Sequence, residues 1–317
     1  MLQVANMSDF LAMEFPPREL ILYPWLPTSG LCMVHAFRGI GKTYLALAIA
    51  YAVATGGIYL KWQAPKRRGV LYIDGEMPAT VLQERLLGIM AMNGDAIIPD
   101  NIKIITPDLQ SGCMPDLATE AGQALVDEYI TDDIDLIIID NLSCLARSIR
   151  ENESDDWNRI QSWVLSLRAR RKSVLLIHHS GKGGTQRGAS KKEDVLDTVI
   201  MLERPKDYDS SEGARFIVKF EKARGFFGED AQPFEARLID ENGIQSWLAQ
   251  SLDDTTYLKV VSLLNKGMSQ AEIAIELNIH KSGISRHAAR GKDEGLIGRP
   301  KIEGCAVAVP MKTQQCN

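Results

Sequence analysis

The sequence predicts an α/β fold with a mainly parallel central sheet, an antiparallel extension at one sheet edge, and a small all-α domain after it. Three observations carry this. Continuous apolar runs alternate with helical patterns from Leu31 to His178, as in parallel strands buried on both faces. After Asp194 the runs Val199–Glu203, Ala214–Glu221 and Phe234–Ile239 follow one another with only turn signals between them, which reads as antiparallel strands. From Tyr257 the pattern becomes three short amphipathic helices separated by turns.

Residues 1–27 read as an N-terminal arm. Ser8–Glu14 can form a helical turn, and Pro16, Pro17, Pro24 and Pro27 break regular structure after it. The main domain, 28–250, then opens with the strand Leu31–His35 and a helix reaching about Ala54. Gly69–Asp74 is a strand. Pro78–Asn93 is a helix, with Val81, Leu82, Arg85, Leu86, Ile89 and Met90 near a 3.6-residue period. The strand Ile102–Ile105, the helix Ala118–Thr131, the strand Leu136–Asp140, the helix Asp155–Lys172 and the strand Ser173–His178 complete the alternation. A linker is expected at 251–256. In the last domain, 257–303, Tyr257–Asn265 is a helix, and Ser269 caps a second one through Leu277 with Glu272 at the capping-box position. Ser282–Gly291 is a third, and this layout is that of a helix-turn-helix. The tail, 304–317, is expected to be disordered.

Composition narrows the classes. Of the 317 residues 45% are hydrophobic and 24% charged, a globular balance. No apolar run approaches the ~18–20 residues of a membrane span, and Met1-Leu-Gln-Val-Ala-Asn6 has no basic start or long apolar stretch of a signal peptide. Cys32, Cys113, Cys144, Cys305 and Cys316 are odd in number and scattered, so neither a disulfide framework nor a zinc site is expected. These features fit a cytoplasmic protein without a membrane partner. The net charge of −5 is uneven: from Thr255 to Asn317 there are nine Lys/Arg against five Asp/Glu, a local +4 that leaves −9 on the rest. A basic tail on an acidic body points to the tail as the part that meets nucleic acid.

The richest motif is Ala36-Phe37-Arg38-Gly39-Ile40-Gly41-Lys42-Thr43, set between a strand and the helix opening at Tyr44. That context makes a P-loop, whose backbone N–H groups cradle a triphosphate at a helix N-terminus. ATP is the expected nucleotide, held by Ala36, Arg38, Gly39, Ile40, Gly41, Lys42, Thr43 and Tyr44. Lys42 reaches the β- and γ-phosphates and Thr43 is a Mg²⁺ ligand. Ala36 stands where the motif usually has Gly, which costs little at negative φ.

Further polar residues end the strands, where open α/β sheets build their sites. Asp140 closes an apolar strand and is the second Mg²⁺ ligand. Glu76, in Asp74-Gly75-Glu76, is placed to orient and deprotonate a water; Asp74 serves either structure or the metal shell. In His178-His179, His178 is favoured as a γ-phosphate sensor over a zinc ligand or a satisfied strand-end histidine. Gly181–Lys192, with Lys182, Arg187, Lys191 and Lys192, suits DNA phosphates and equally a solvated loop. Lys222 and Arg224 alternate on a late strand and can aim at one phosphate, or form a basic sheet edge.

Over about Pro24 to Gln250 these motifs resemble the RecA-like P-loop ATPases, more closely the hexameric replicative helicases of the plasmid RepA and DnaB type. The resemblance rests on the P-loop, Asp74-Gly75-Glu76, Asp140, Ile177-His-His-Ser-Gly-Lys182, Arg187-Gly-Ala-Ser190 and Lys222-Ala-Arg-Gly225. It implies a homo-oligomer, a hexameric ring with ATP at subunit interfaces. It also implies Glu76 as base, Arg187 or Arg224 as a finger acting in trans, and single-stranded DNA in the channel. The primase and large N-terminal domains of the DnaB type are not matched. Residues 269–286 resemble small helix-turn-helix modules of bacterial and phage regulators. That implies duplex DNA near Ser282, Ser285, Arg286 and Arg290, or else a helical lid for protein contacts. The expected function is an ATP-hydrolysing motor in replication of a plasmid, phage or other mobile element. Two other readings stay open: a DNA-binding regulator or loader switched by ATP, and a small-molecule kinase, against which the two histidines and Lys222-Ala-Arg224 argue.

Overall fold

The computed structural model describes residues 2–95, 97–148, 154–180, 194–241 and 244–297. They fall into two compact units, Met1–Gln250 and Ser251–Asn317.

The first unit is built on a nine-stranded sheet. In chain order its strands are β3 (Leu31–Ala36), β6 (Gly69–Asp74), β7 (Ile102–Ile105), β8 (Ile134–Asp140), β9 (Ser173–His179), β10 (Thr198–Glu203), β11 (Arg215–Ala223), β12 (Phe234–Glu241) and β13 (Ile244–Ser251). They lie in the order β13-β12-β11-β10-β3-β9-β8-β6-β7. From β10 to β7 all neighbours are parallel, whereas β11 runs antiparallel to both β10 and β12. The mainly parallel α/β sheet with an antiparallel extension is therefore the fold, and β10 is the strand where one regime passes into the other. The P-loop strand β3 is separated from the Asp140 strand β8 by β9.

The inner strands β3, β6, β8 and β9 are largely apolar on both faces because helices cover both. Cys32, Val34, Tyr72, Leu136, Ile138, Leu175 and Ile177 share one core with α2 (Lys42–Thr55) and α3 (Ala79–Asn93). Met33, Leu71, Ile73, Ile137, Ile139, Val174 and Leu176 share the other with α4 (Glu120–Asp127), α5 (Leu142–Leu145) and α6 (Ser154–Ala169). The helix α2 is buried from Leu45 to Ala54, which explains a run of alanines and leucines without a polar face. Among the described residues no helix is long and apolar enough to cross a membrane.

Several boundaries differ from those the sequence predicts. The expected arm 1–27 ends earlier. After α1 (Met7–Ala12), β1 (Leu20–Leu22) and β2 (Leu26–Pro27) pair antiparallel. Ile21, Leu22, Trp25 and Leu26 are almost fully buried, so the prolines shape a turn of the domain here. The predicted helix 118–131 is only Glu120–Asp127, capped by the Thr119 hydroxyl. The hairpin β4–β5 (Ile58–Tyr59 and Trp62–Gln63) and β13 are additional.

The second unit has three described helices, α7 (Leu252–Asn265), α8 (Gln270–Glu276) and α9 (Lys281–Asp293). Val260, Ile273 and Ile284, all fully buried, form its core. Segment 251–256, expected as linker, is the cap and opening of α7, because the Ser251 hydroxyl accepts the Asp254 N–H at 3.0 Å. Ser269 and Glu272 make the capping box of α8. The tail 304–317 lies outside the described residues.

Candidate active site

Parallel register sets the site. Asp74 stands opposite Asp140, and Ala36 opposite His179. Counting by twos from the core residues facing α2, these four strand-end positions lie on the α2 face of the sheet.

The P-loop runs from the end of β3 into α2. Gly41 has φ 114°, a left-handed conformation that a side chain would strain, whereas Ala36 is not at positive φ. Lys42 begins the helix and is 5% exposed. Its Nζ donates to the carbonyls of Ala36 and Phe37, both at 3.0 Å. Burial lowers its pKa to about 8, against the opposing pull of Asp140 and Glu76. Asp140 is 2% exposed and accepts the Tyr72 hydroxyl at 2.7 Å. Burial raises its pKa, while hydrogen bonds from Tyr72 and Thr43 oppose the rise. Thr43 and Asp140 are thus side by side.

The end of β6 presents Glu76, the candidate base. Asp74 Oδ2 accepts the Met77 N–H at 2.7 Å and the Glu76 N–H at 3.2 Å, which fixes the turn that presents Glu76. Burial pushes Asp74 up to about 6, and its Oδ1 is buried without a hydrogen-bond partner among the described residues. Glu76 Oε2 accepts the Cys144 thiol at 2.9 Å. That bond, helped by Asn141, His179 and Lys42, holds the Glu76 carboxyl below its usual value against partial burial. Two hard oxygen donors, Thr43 and Asp140, with the orphaned Asp74 Oδ1 near them in register, fit Mg²⁺, which takes few protein ligands and completes its shell with water and phosphate.

A glycine-cornered loop into a buried lysine, a threonine–aspartate pair and a strand-end glutamate make a nucleotide site, and the AAA_25 family of AAA domains matches residues 2–185. The chain belongs to this AAA-domain family. No curated protein matches the sequence. Among solved structures, the KaiC-like protein PH0186 from the hyperthermophilic archaeon Pyrococcus horikoshii OT3 is 12% identical, covering 72% of this chain and 93% of its own, with a TM-score of 0.49. The flagellar accessory protein FlaH from Methanocaldococcus jannaschii is 15% identical, over 70% and 91%, with a TM-score of 0.45.

Other residues of the AAA domain fall differently from expectation. The sequence favours His178 as sensor, but the register puts His178 opposite His35, on the face away from α2. His179 is the one that faces Lys42, Glu76 and Arg38. Burial lowers its pKa, with Lys42 adding to the effect. A tandem pair on a strand apolar on both sides carries no parity signal, so the pattern gave the preference for His178 no support. Among the described residues no cluster of His, Cys, Asp or Glu suits a zinc ion. Tyr44 turns its side chain from the loop, with its ring 5.7 Å from Trp247 and its hydroxyl 3.6 Å from Met92 Sδ. Ile40 is buried under the loop.

Lys222 and Arg224 both donate to the Asp194 carbonyl at 3.3 Å, so the two cations do reach one point. Arg187, Lys182, Lys191 and Lys192 lie outside the described residues. In the second unit Ser282 bonds His280 Nδ1 at 2.8 Å and Ser285 is exposed. Arg286 pairs with Asp253, and Arg290 with Asp254 and Glu294, each at 2.9 Å. These arginines are matched by acids of their own unit, which the charge count alone did not show.

Two features escaped the sequence. His35 is 1% exposed and joins Ser180 Oγ at 2.8 Å to Glu221 Oε2 at 2.7 Å, tying the P-loop strand to β9 and β11. Arg204 donates to the Gly39 carbonyl at 3.0 Å, and its Cζ lies 4.0 Å from the centre of the Tyr208 ring, beside the loop.

Proposed function

We propose that the chain is an ATP-hydrolysing, DNA-associated motor of the RepA and DnaB hexameric-helicase type, serving replication of a plasmid, phage or other mobile element. The observation that carries this is the meeting of Lys42, Thr43, Asp140, Glu76 and His179 on one face at the strand ends of an AAA domain. Lys42 exchanges the Ala36 and Phe37 carbonyls for phosphate oxygens. Glu76 takes a proton from the attacking water as its oxygen bonds to the γ-phosphorus and the bond to ADP breaks. His179 donates to the γ-phosphate, and Arg204 over Tyr208 offers a flat surface to the base. Mg²⁺, when bound, would be held by Thr43 and Asp140 and would supply charge neutralisation to the phosphates. Lys222 with Arg224, or Arg187, serves a neighbour's phosphates in a homo-oligomeric ring.

Self-association is supported by the exposed apolar side chains of Leu2, Val4, Met7, Phe10, Leu11 and Phe15, a stretch a lone chain leaves in water. Single-stranded DNA belongs to the ring channel, with Lys182, Lys191 and Lys192 as its contacts. Duplex DNA belongs to the helix-turn-helix reading of α7–α9, around Ser282, Ser285, Arg286 and Arg290. The pairing of Arg286 and Arg290 with Asp253 and Asp254 favours a second reading, in which this unit makes protein contacts and ATP switches a loader. ATPase rate with single-stranded, duplex and no DNA separates the two. A motor is stimulated several-fold by single strands and opens a forked duplex with ATP, and a loader does neither.

A further inference from the structure

The turn after Asp140 does more than carry a metal ligand. Asn141 is 1% exposed, and its side-chain Oδ1 accepts the Cys144 N–H at 3.1 Å, capping α5. Leu145, fully buried, closes the turn and accepts the Leu117 N–H at 2.7 Å. Cys144 is therefore held on both sides, through the Asn141 side chain and the Leu145 backbone. The loop that presents Glu76 lies directly on this turn. The Gly75 N–H donates to the Asp140 carbonyl at 2.7 Å. A Cβ on Gly75 would fall 2.8 Å from Leu145 Cγ and 3.0 Å from Cys144 Cβ, so only glycine permits the approach. At that closeness the thiol meets Glu76 Oε2 at 2.9 Å.

We propose that Cys144 is the positioning residue for Glu76: its thiol fixes the carboxylate, so that one turn sets both the Asp140 metal ligand and the base. This rests on the reading of Glu76 as the base. A thiol donates more weakly than a hydroxyl, which lets the carboxylate be held between turnovers and still accept the proton of water. The thiol itself undergoes no reaction.

Infrared spectroscopy of the whole protein reads the contact directly. The S–H stretching band of Cys144, isolated as the difference between wild type and Cys144→Ser, lies at the low frequency of a bonded thiol. In Glu76→Gln, isolated against the Cys144→Ser version of that variant, it moves up. Steady-state ATP hydrolysis reads the consequence. Cys144→Ala lowers kcat about five- to tenfold with KM for ATP unchanged, and Cys144→Ser recovers most of the loss. A band at the free-thiol position in wild type, or a kcat in Cys144→Ala equal to wild type, overturns the proposal. So does a serine variant no better than alanine. Should Glu76→Gln retain turnover, the base reading fails. Should it be inactive while Cys144→Ala matches wild type, this inference alone fails.

Discussion

Lys42→Met is expected to make the nucleotide-free protein more stable while removing its use. Lys42 is almost wholly buried, and burial brings its pKa from 10.5 to about 8. Holding it charged at pH 7 therefore costs about 3 kcal/mol, or about 2 kcal/mol once partial solvent screening is counted. Methionine has nearly the same length and no charge. Against the gain stand two hydrogen bonds, to Ala36 and Phe37. Their loss costs less than ~1 kcal/mol each where the carbonyl can meet water, as at half-exposed Phe37. The net is about 1 kcal/mol of stabilisation, or roughly 3 °C in a domain of this size. The pH dependence has a definite sign. The folded pKa lies below the unfolded one, so between about pH 8 and pH 10.5 the unfolded chain binds more protons and wild type gains stability as pH rises. The variant has no such gain. Melting without nucleotide at pH 7 and at about pH 10 should show the variant ahead at the first and level at the second. A variant less stable at pH 7, or a lead that does not shrink with pH, refutes the argument that a buried ammonium is being held at a cost.

Three other outcomes are expected. His179→Ala lowers kcat about tenfold or more, whereas His178→Ala stays within about threefold; the reverse order in an ATPase assay would undo the register argument. Asp253→Asn combined with Asp254→Asn and Glu294→Gln frees Arg286 and Arg290 of their acids. If they contact DNA, duplex binding strengthens several-fold at low salt and its salt slope steepens by roughly 2; an unchanged titration assigns α9 to protein contacts. Gly41→Ala forces a side chain into φ 114° and lowers the melting temperature by the equivalent of about 1 kcal/mol or more, read by calorimetry.

The parallel half of the sheet was legible because its strands are buried on both faces and show as unbroken apolar runs. Gly69–Asp74 and Ile102–Ile105 have the bounds expected of them. The P-loop was legible for a different reason: phosphate cradling demands glycine, lysine and threonine at fixed spacing. What escaped depends on the third dimension. Strands of two residues, as in β4 and β5, have no period to read. His35 looks like one more position in an apolar run until Ser180 and Glu221 close around it. Cys144 reads as one of five scattered cysteines until Gly75 brings Glu76 to its thiol. Arg286 finds Asp253 33 positions away and Arg290 finds Asp254 36 positions away, beyond any helical repeat, so the basic surplus of the C-terminal segment overstated its free charge.

The most direct measurement is a titration of Glu76→Gln with magnesium ATP, followed by recovery of the bound nucleotide. One saturable site per chain, lost on adding Lys42→Met, with the nucleotide recovered as ATP, is what a P-loop pocket served by a separate base predicts. Binding that survives the loss of Lys42, or nucleotide recovered as ADP, contradicts it.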